Sequence, residues 1–167
     1  MTESRSQDVS PVAAPLQWRC LAFDSLSVHS LYRLLKLRSE VFVVEQACVF
    51  QDLDDADMRA MHLLGQASGP DGVPRLLAYA RCLAAGVSYA QASIGRVVTS
   101  PSARGTGIGY ALMQEAVRSV HNLWGPQPIR IGAQAHLQSF YRQHGFEPDG
   151  AIYVEDGIEH IEMLRPD

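Results

Sequence analysis

Apolar and polar positions change their spacing several times along the chain, and each change predicts an element. Residues 17–23 (QWRCLAF) carry a strand-like bias that Asp24 and Ser25 interrupt. After Ser27, a fitting N-cap, apolar residues fall at Leu31, Leu34, Leu35, Val41 and Phe42 while Arg33, Lys36 and Arg38 take other faces, which predicts a first helix. Its β-branched end, EVFVVEQ, suits a helix or an extended segment equally, and the acidic stretch Asp52 to Asp57 is expected as a loop. His62 to Gln66 and Arg75 to Leu83 bracket the turn-rich SGPDGVP and predict a hairpin; a further loop leads to a strand from Ser93 to Thr99. Three successive strands of this kind favour an antiparallel meander.

The period then returns to helical over Tyr110 to Leu123, with Ile108, Leu112, Ala116, Val120 and Leu123 on one face, and Gly125-Pro126 supplies a stop. A short strand from Pro128 to Ala133, a compact helix from Ala135 to His144 ended by Gly145, and a hairpin of Ile152 to Val154 with Ile158 to Leu164 complete the pattern. It reads as a mixed sheet with helices on both faces.

Composition narrows the class. The chain has 167 residues, 47% of them hydrophobic, and no apolar run as long as a membrane span requires, so one water-soluble domain is expected over residues 16–167. Residues 1–15, polar with two prolines and without the apolar middle of a signal peptide, are expected to be a disordered tail, which places the protein in the cytoplasm. A net charge of −4 gives no basic footprint for nucleic acid, and no membrane partner is expected. Cys20, Cys48 and Cys82 are too widely spaced for a zinc or redox motif and read as core thiols.

The chemistry concentrates at Arg104-Gly105-Thr106-Gly107-Ile108-Gly109, between a predicted strand and a helix. Glycines allow close backbone approach, and a helix start offers unpaired N–H groups with the positive end of the dipole, which together suit a pyrophosphate. Three of the thirteen glycines lie in these five positions from 105 to 109. A P-loop needs a lysine after its glycines, whereas the only lysine is Lys36; a dinucleotide fingerprint needs glycine where Tyr110 stands. Both the nucleotide-hydrolase and the oxidoreductase classes are therefore poor fits.

Arg104, Gly107 and Gly109 match R/Q-x-x-G-x-G/A, and this turn resembles the acetyl-CoA site of the GNAT family of N-acetyltransferases. Residues 134–146 (QAHLQSFYRQHGF) resemble a second stretch of that family, with Gln134 standing where asparagine is frequent and Leu137 where alanine is frequent, so no coenzyme contact is assigned to Gln134. LRSEVFVVEQACVFQDLDDAD at 37–57, IGAQAHLQSFY and EDGIEHI resemble the ElaA branch of the family. The resemblance implies the GNAT acyl-CoA N-acyltransferase fold: α/β with α+β character, a central, twisted, mostly antiparallel mixed sheet of about six to seven strands, and helices on both faces.

It further implies an N-acetyltransferase with acetyl-CoA as co-substrate and no metal, acting on a primary amine of a small molecule or peptide. Val97, Val98 and Thr99 would receive the pantetheine arm; Arg104, Gly105, Thr106, Gly107, Ile108 and Gly109 would receive the pyrophosphate. Tyr141 matches the tyrosine that protonates the leaving thiolate in many relatives, against the ordinary role of a packed tyrosine. For the base, Glu45 and His160 are the candidates, with ordered water as an alternative; His62 is a further strand histidine. Asp52, Asp54, Asp55 and Asp57 suit either a solvated loop or an acidic rim for a cationic amine, and their spacing lacks the glycine and distal glutamate of a calcium loop. The alternative reading is a catalytically weak acyl-CoA-binding sensor or interaction module on the same fold, and a homodimer is compatible with either.

Overall fold

The structure, a computed structural model, describes residues 15–167. The expected tail therefore lies, except for Pro15, outside the described residues. Eight strands form one sheet: β1 (Gln17–Ala22), β2 (Met61–Ser68), β3 (Pro74–Leu83), β4 (Ala92–Thr99), β5 (Ile129–Gln134), β6 (Glu147–Pro148), β7 (Tyr153–Glu155) and β8 (Ile158–Arg165). Their order is β1-β2-β3-β4-β5-β8-β6, with β7 also on β8, and every pairing is antiparallel except β4 with β5. Eight strands rather than six or seven arise because β6, two residues long, is too short to show a period.

Alternation along the central strands divides the core. Ala78, Ala80 and Cys82 of β3 face α2 (Ile108–Trp124), whose buried stripe is Ile108, Leu112, Met113, Ala116 and Val120. Tyr79 of β3 and Val98 of β4 face the other side, where Leu34, Leu37 and Val41 cover them from α1 (Val28–Arg38) and the turn that follows it. Ser27 caps α1 as expected, its hydroxyl accepting from the Ser30 N–H at 3.1 Å. The ambiguous EVFVVEQ segment is helical but widened into π-type turns over Ser39–Glu45, which carries Glu45 and Gln46 over the sheet.

Two sequence expectations are corrected. The compact helix at Ala135 to His144 is a 3₁₀ turn, Ala135–Leu137, leading into a single helical turn, α3 (Gln138–Arg142). The acidic stretch is only in part a solvated loop: Asp55–Arg59 is a 3₁₀ turn, Asp52 and Asp57 are buried against arginines, and Asp54 and Asp55 stay exposed. Arg38, fully buried, places Nε 2.8 Å from Asp52 and Nη1 2.8 Å from Asp57; Arg81 reaches Asp54 and Asp57 at 2.5 and 2.8 Å; Arg96 reaches Asp52 at 2.7 Å. These charges are consumed internally and do not attract a ligand. Cys48 and Cys82 are buried and Cys20 half-buried, all as free thiols. Among the described residues no helix is long and apolar enough to cross a membrane.

Candidate active site

β4 and β5 pair only at Ala92 with Ile129 and Ser93 with Arg130, and then diverge. A bulge in β4 drives the divergence: Val98 opposes Tyr79 and Gly95 opposes Arg81, one residue more on β4 than on β3, and Arg96 adopts φ +50°. A non-glycine residue is costly there, and the guanidinium of Arg96 is pinned by the Asp52 carboxylate and by the Asp52 carbonyl at 3.2 Å. The buried ion network thus holds open the strand wedge above it.

The wedge is the floor of a cleft of about 750 Å³. Val97, Val98 and Thr99 line one wall, and Ile131, Gly132 and Gln134 of β5 line the other. The Ser100 N–H donates to the Leu77 carbonyl at 2.8 Å, so strand alternation turns the Thr99 N–H toward the open side. At one end stands the glycine turn. Gly105 and Gly107 take φ of +76° and +82°, which strongly favours glycine, and a Cβ on either would meet no atom within 4 Å, so the face above the turn is open. α2 starts at Ile108 directly behind it, and its first backbone bond runs from the Ala111 N–H to the Gly107 carbonyl, leaving the N–H groups of Ile108, Gly109 and Tyr110 without a carbonyl acceptor among the described residues. Such a set of donors fits a pyrophosphate.

Tyr141 enters the cleft from α3. It is 8% exposed, packed edge-on against Phe140 and Phe146, and its hydroxyl has no protein hydrogen-bond partner among the described residues. Burial pushes its pKa up to about 12, so it holds its proton across the neutral range.

The two base candidates also reach the cleft, in different states. Glu45 is engaged by Arg104, whose Nη2 lies 3.0 Å from the carboxylate. The Nδ1 of His160 lies 2.8 Å from the Ile158 carbonyl, which can only accept; the neutral ring therefore carries its proton on Nδ1 and presents a lone pair on Nε2. Tyr153 stacks on that ring at 5.9 Å. His62 belongs elsewhere: fully buried, it donates from Nε2 to the Asp57 carbonyl at 2.9 Å and accepts from the Tyr79 hydroxyl at 2.8 Å, a saturated structural histidine.

The residues that sequence reasoning missed lie where chain segments meet. The side-chain amide of Gln134 donates to Gln46 at 3.3 Å across the cleft mouth, and the Cys48 thiol donates to the Asp156 carbonyl at 3.4 Å. Together with Glu45 to Arg104 they tie the widened turn to three separate elements. Arg96 carried a readable signal, a charge in the middle of an otherwise apolar strand; Gln46 and Cys48 carried none.

The model of the acetyltransferase (GNAT) domain family matches residues 78–165, the stretch that contains the wedge, the glycine turn and Tyr141. Protein ElaA of Escherichia coli K12 is 42% identical over 152 residues, covering 90% of this chain and 96% of that protein. The chain belongs to the GNAT acetyltransferase family. An acyl-CoA N-acyltransferase of Pseudomonas aeruginosa superposes with a TM-score of 0.82 at 43% identity, covering 90% of this chain and 99% of that one. The crystal structure of Escherichia coli ElaA superposes with a TM-score of 0.81 at 42% identity over the same shares. The mixed, mostly antiparallel sheet with its open wedge is accordingly the GNAT acyl-CoA N-acyltransferase fold, which implies an acyl-CoA donor and an acceptor substrate.

Proposed function

We propose that this protein moves an acetyl group from acetyl-CoA directly to a primary amine of a small molecule or peptide. The observation that carries the reading is the Tyr141 hydroxyl, on a buried ring and unpartnered among the described residues, in a cleft that has the glycine turn at one end and His160 in its lining. Acetyl-CoA supplies a thioester carbonyl, to which the amine nitrogen bonds as the carbon–sulfur bond breaks.

The chain's own groups divide the work. Backbone N–H groups from Gly105 to Tyr110 hold the pyrophosphate, with Arg104 adding charge; the edge of β4 at Val97 to Thr99 holds the pantetheine arm and turns an N–H toward the carbonyl oxygen. Tyr141 gives its Oη proton to the departing sulfur, and His160 Nε2 takes the proton released by the amine nitrogen. Glu45, being paired with Arg104, is the weaker base.

Release of free thiol from acetyl-CoA across a panel of primary amines tests the reading. Acceptor-dependent release with formation of the N-acetyl product supports it. Coenzyme binding without release on any amine would sink it in favour of an acyl-CoA sensor.

A further inference from the structure

On the face of the sheet that carries His160, a second group of side chains adjoins the cleft. The register pairs Gly132 with Glu162 and Gln134 with His160, so these four residues share that face. Two tyrosine hydroxyls descend on Gly132: a Cβ there would stand 3.2 Å from Tyr89 Oη and 3.4 Å from Tyr153 Oη, and neither oxygen has a hydrogen-bond partner among the described residues. Burial raises the pKa of the Tyr89 hydroxyl, with Glu162 and Glu155 adding to the rise, so both carboxylates bear on it.

The charges around this corner do not cancel. Arg130, whose guanidinium lies 6.0 Å from the Tyr89 ring centre, is taken by Glu162 at 2.8 Å and Asp149 at 2.6 Å. Arg96 and Arg104, which also line the cleft, are taken by Asp52 and Glu45. Glu155, the last residue of β7, and Asp156, in the turn to β8, line the same cleft and form no ion pair among the described residues. The cleft also holds Tyr141, whose ring is buried and whose hydroxyl, without a hydrogen-bond partner among the described residues, is accessible, which marks where the other end of an acceptor would react.

An unneutralised carboxylate favours the ammonium form of a nearby amine, which is unfavourable for a nitrogen that must attack as the free base. The same carboxylates suit a second nitrogen that stays protonated. His160 and the pair formed by Glu155 and Ile158 are two residues apart along β8, about 7 Å, a span that a short alkyl chain covers. Tyrosine rings and hydroxyls beside the carboxylates complete an ammonium site.

We propose that Tyr89, Tyr153, Glu155 and Asp156 form an acceptor subsite for the distal ammonium of a short alkyl diamine, whose other nitrogen is presented to His160. This rests on the acetyltransferase reading above.

Initial rates with 1,5-diaminopentane and 1-aminopentane, on the wild type and on a Glu155→Gln/Asp156→Asn double variant, test it alongside calorimetric binding of 1,5-diaminopentane to the coenzyme A-loaded protein. The wild type should favour the diamine about tenfold in kcat/KM, and the double variant should lose that preference through a higher diamine KM with the monoamine unchanged. Tyr153→Phe, which keeps the ring, should give a smaller loss. Equal use of both amines by the wild type, or a preference that survives the double substitution, overturns the subsite. Diamine binding that the double variant abolishes, without turnover of any amine, would uphold the subsite and reject the acetyltransferase reading.

Discussion

Two polar clusters share β4, and they have opposite characters. Below the strand, the buried Arg38, Asp52, Asp57 and Arg81 and the half-buried Arg96 are matched, each charge meeting at least one opposite charge within 2.8 Å. Above the bulge, the cleft holds, among the described residues, a tyrosine hydroxyl with no partner, a histidine with one open nitrogen and two carboxylates outside any ion pair. A network whose charges are already paired, with only Arg81 Nε lacking a hydrogen bond, leaves little for a ligand, whereas unsatisfied groups around an open volume are what a substrate completes. Burial and charge alone would have ranked the first cluster as the more conspicuous, and its task is to fix Arg96 and with it the shape of the second.

The sharpest way to break the comparison is Arg38→Ala. It removes a fully buried side chain that hydrogen-bonds to Asp52 and Asp57 and lies 5.9 Å from the ring centre of Tyr79. Stability in urea should fall by about 3 to 5 kcal/mol, the range for leaving a buried ion pair half made. A loss below about 1 kcal/mol would show that the network is not a structural support.

Tyr141→Phe probes the other side. Turnover should drop about a hundredfold, within the range for losing a general acid, while acetyl-CoA affinity stays near that of the wild type. Because the hydroxyl has no partner to strand, folding stability should move by less than about 0.5 kcal/mol. Full turnover in this variant would remove Tyr141 from the chemistry.

Acid should act on the buried cluster first. Burial, the largest influence, holds the His62 imidazole below its usual 6.5. For Asp57, burial works upward, but hydrogen bonds from Arg38 and Arg81 prevail and hold the carboxyl below its usual 3.8. Both groups bind protons more readily when unfolded, so stability rises with pH across their range. Denaturation midpoints should be flat above about pH 6.5, decline below it as His62 is forced to ionise, and decline further below about pH 4 as Asp57 is neutralised. His62→Gln should shrink the first decline, to which His144, also held below 6.5 by burial, contributes, and keep the second.

Much of this division was legible in the sequence, for reasons that differ from residue to residue. The glycine turn could be read because positive φ and close backbone approach restrict the residue type at 105 and 107. α1 and α2 could be read because each buries one stripe and ends at a recognisable cap. The acidic stretch could not, because its fate depends on arginines 14 to 44 residues away in the chain, and nothing local distinguishes a matched aspartate from a solvated one. His62 and His160 are both strand histidines, and only the partners of their two nitrogens separate the saturated ring from the open one.

The smallest expected effect falls on the contact that joins the cleft's two halves. Glu45 and Arg104 are 59 residues apart, each about 44% exposed, and their ion pair bridges the widened turn and the glycine turn. An anion arriving at the glycine turn competes with Glu45 for Arg104, so coenzyme binding has to replace that pair. An exposed pair of this kind is worth well under about 1 kcal/mol, and Glu45→Gln should therefore tighten coenzyme A about two- to threefold without altering the fold. The gain should shrink in high salt, which already screens the pair. A weaker coenzyme affinity in Glu45→Gln would mean that the carboxylate orients Arg104 for the pyrophosphate instead of competing for it, and the boundary between matched and open charge would then run through the cleft itself.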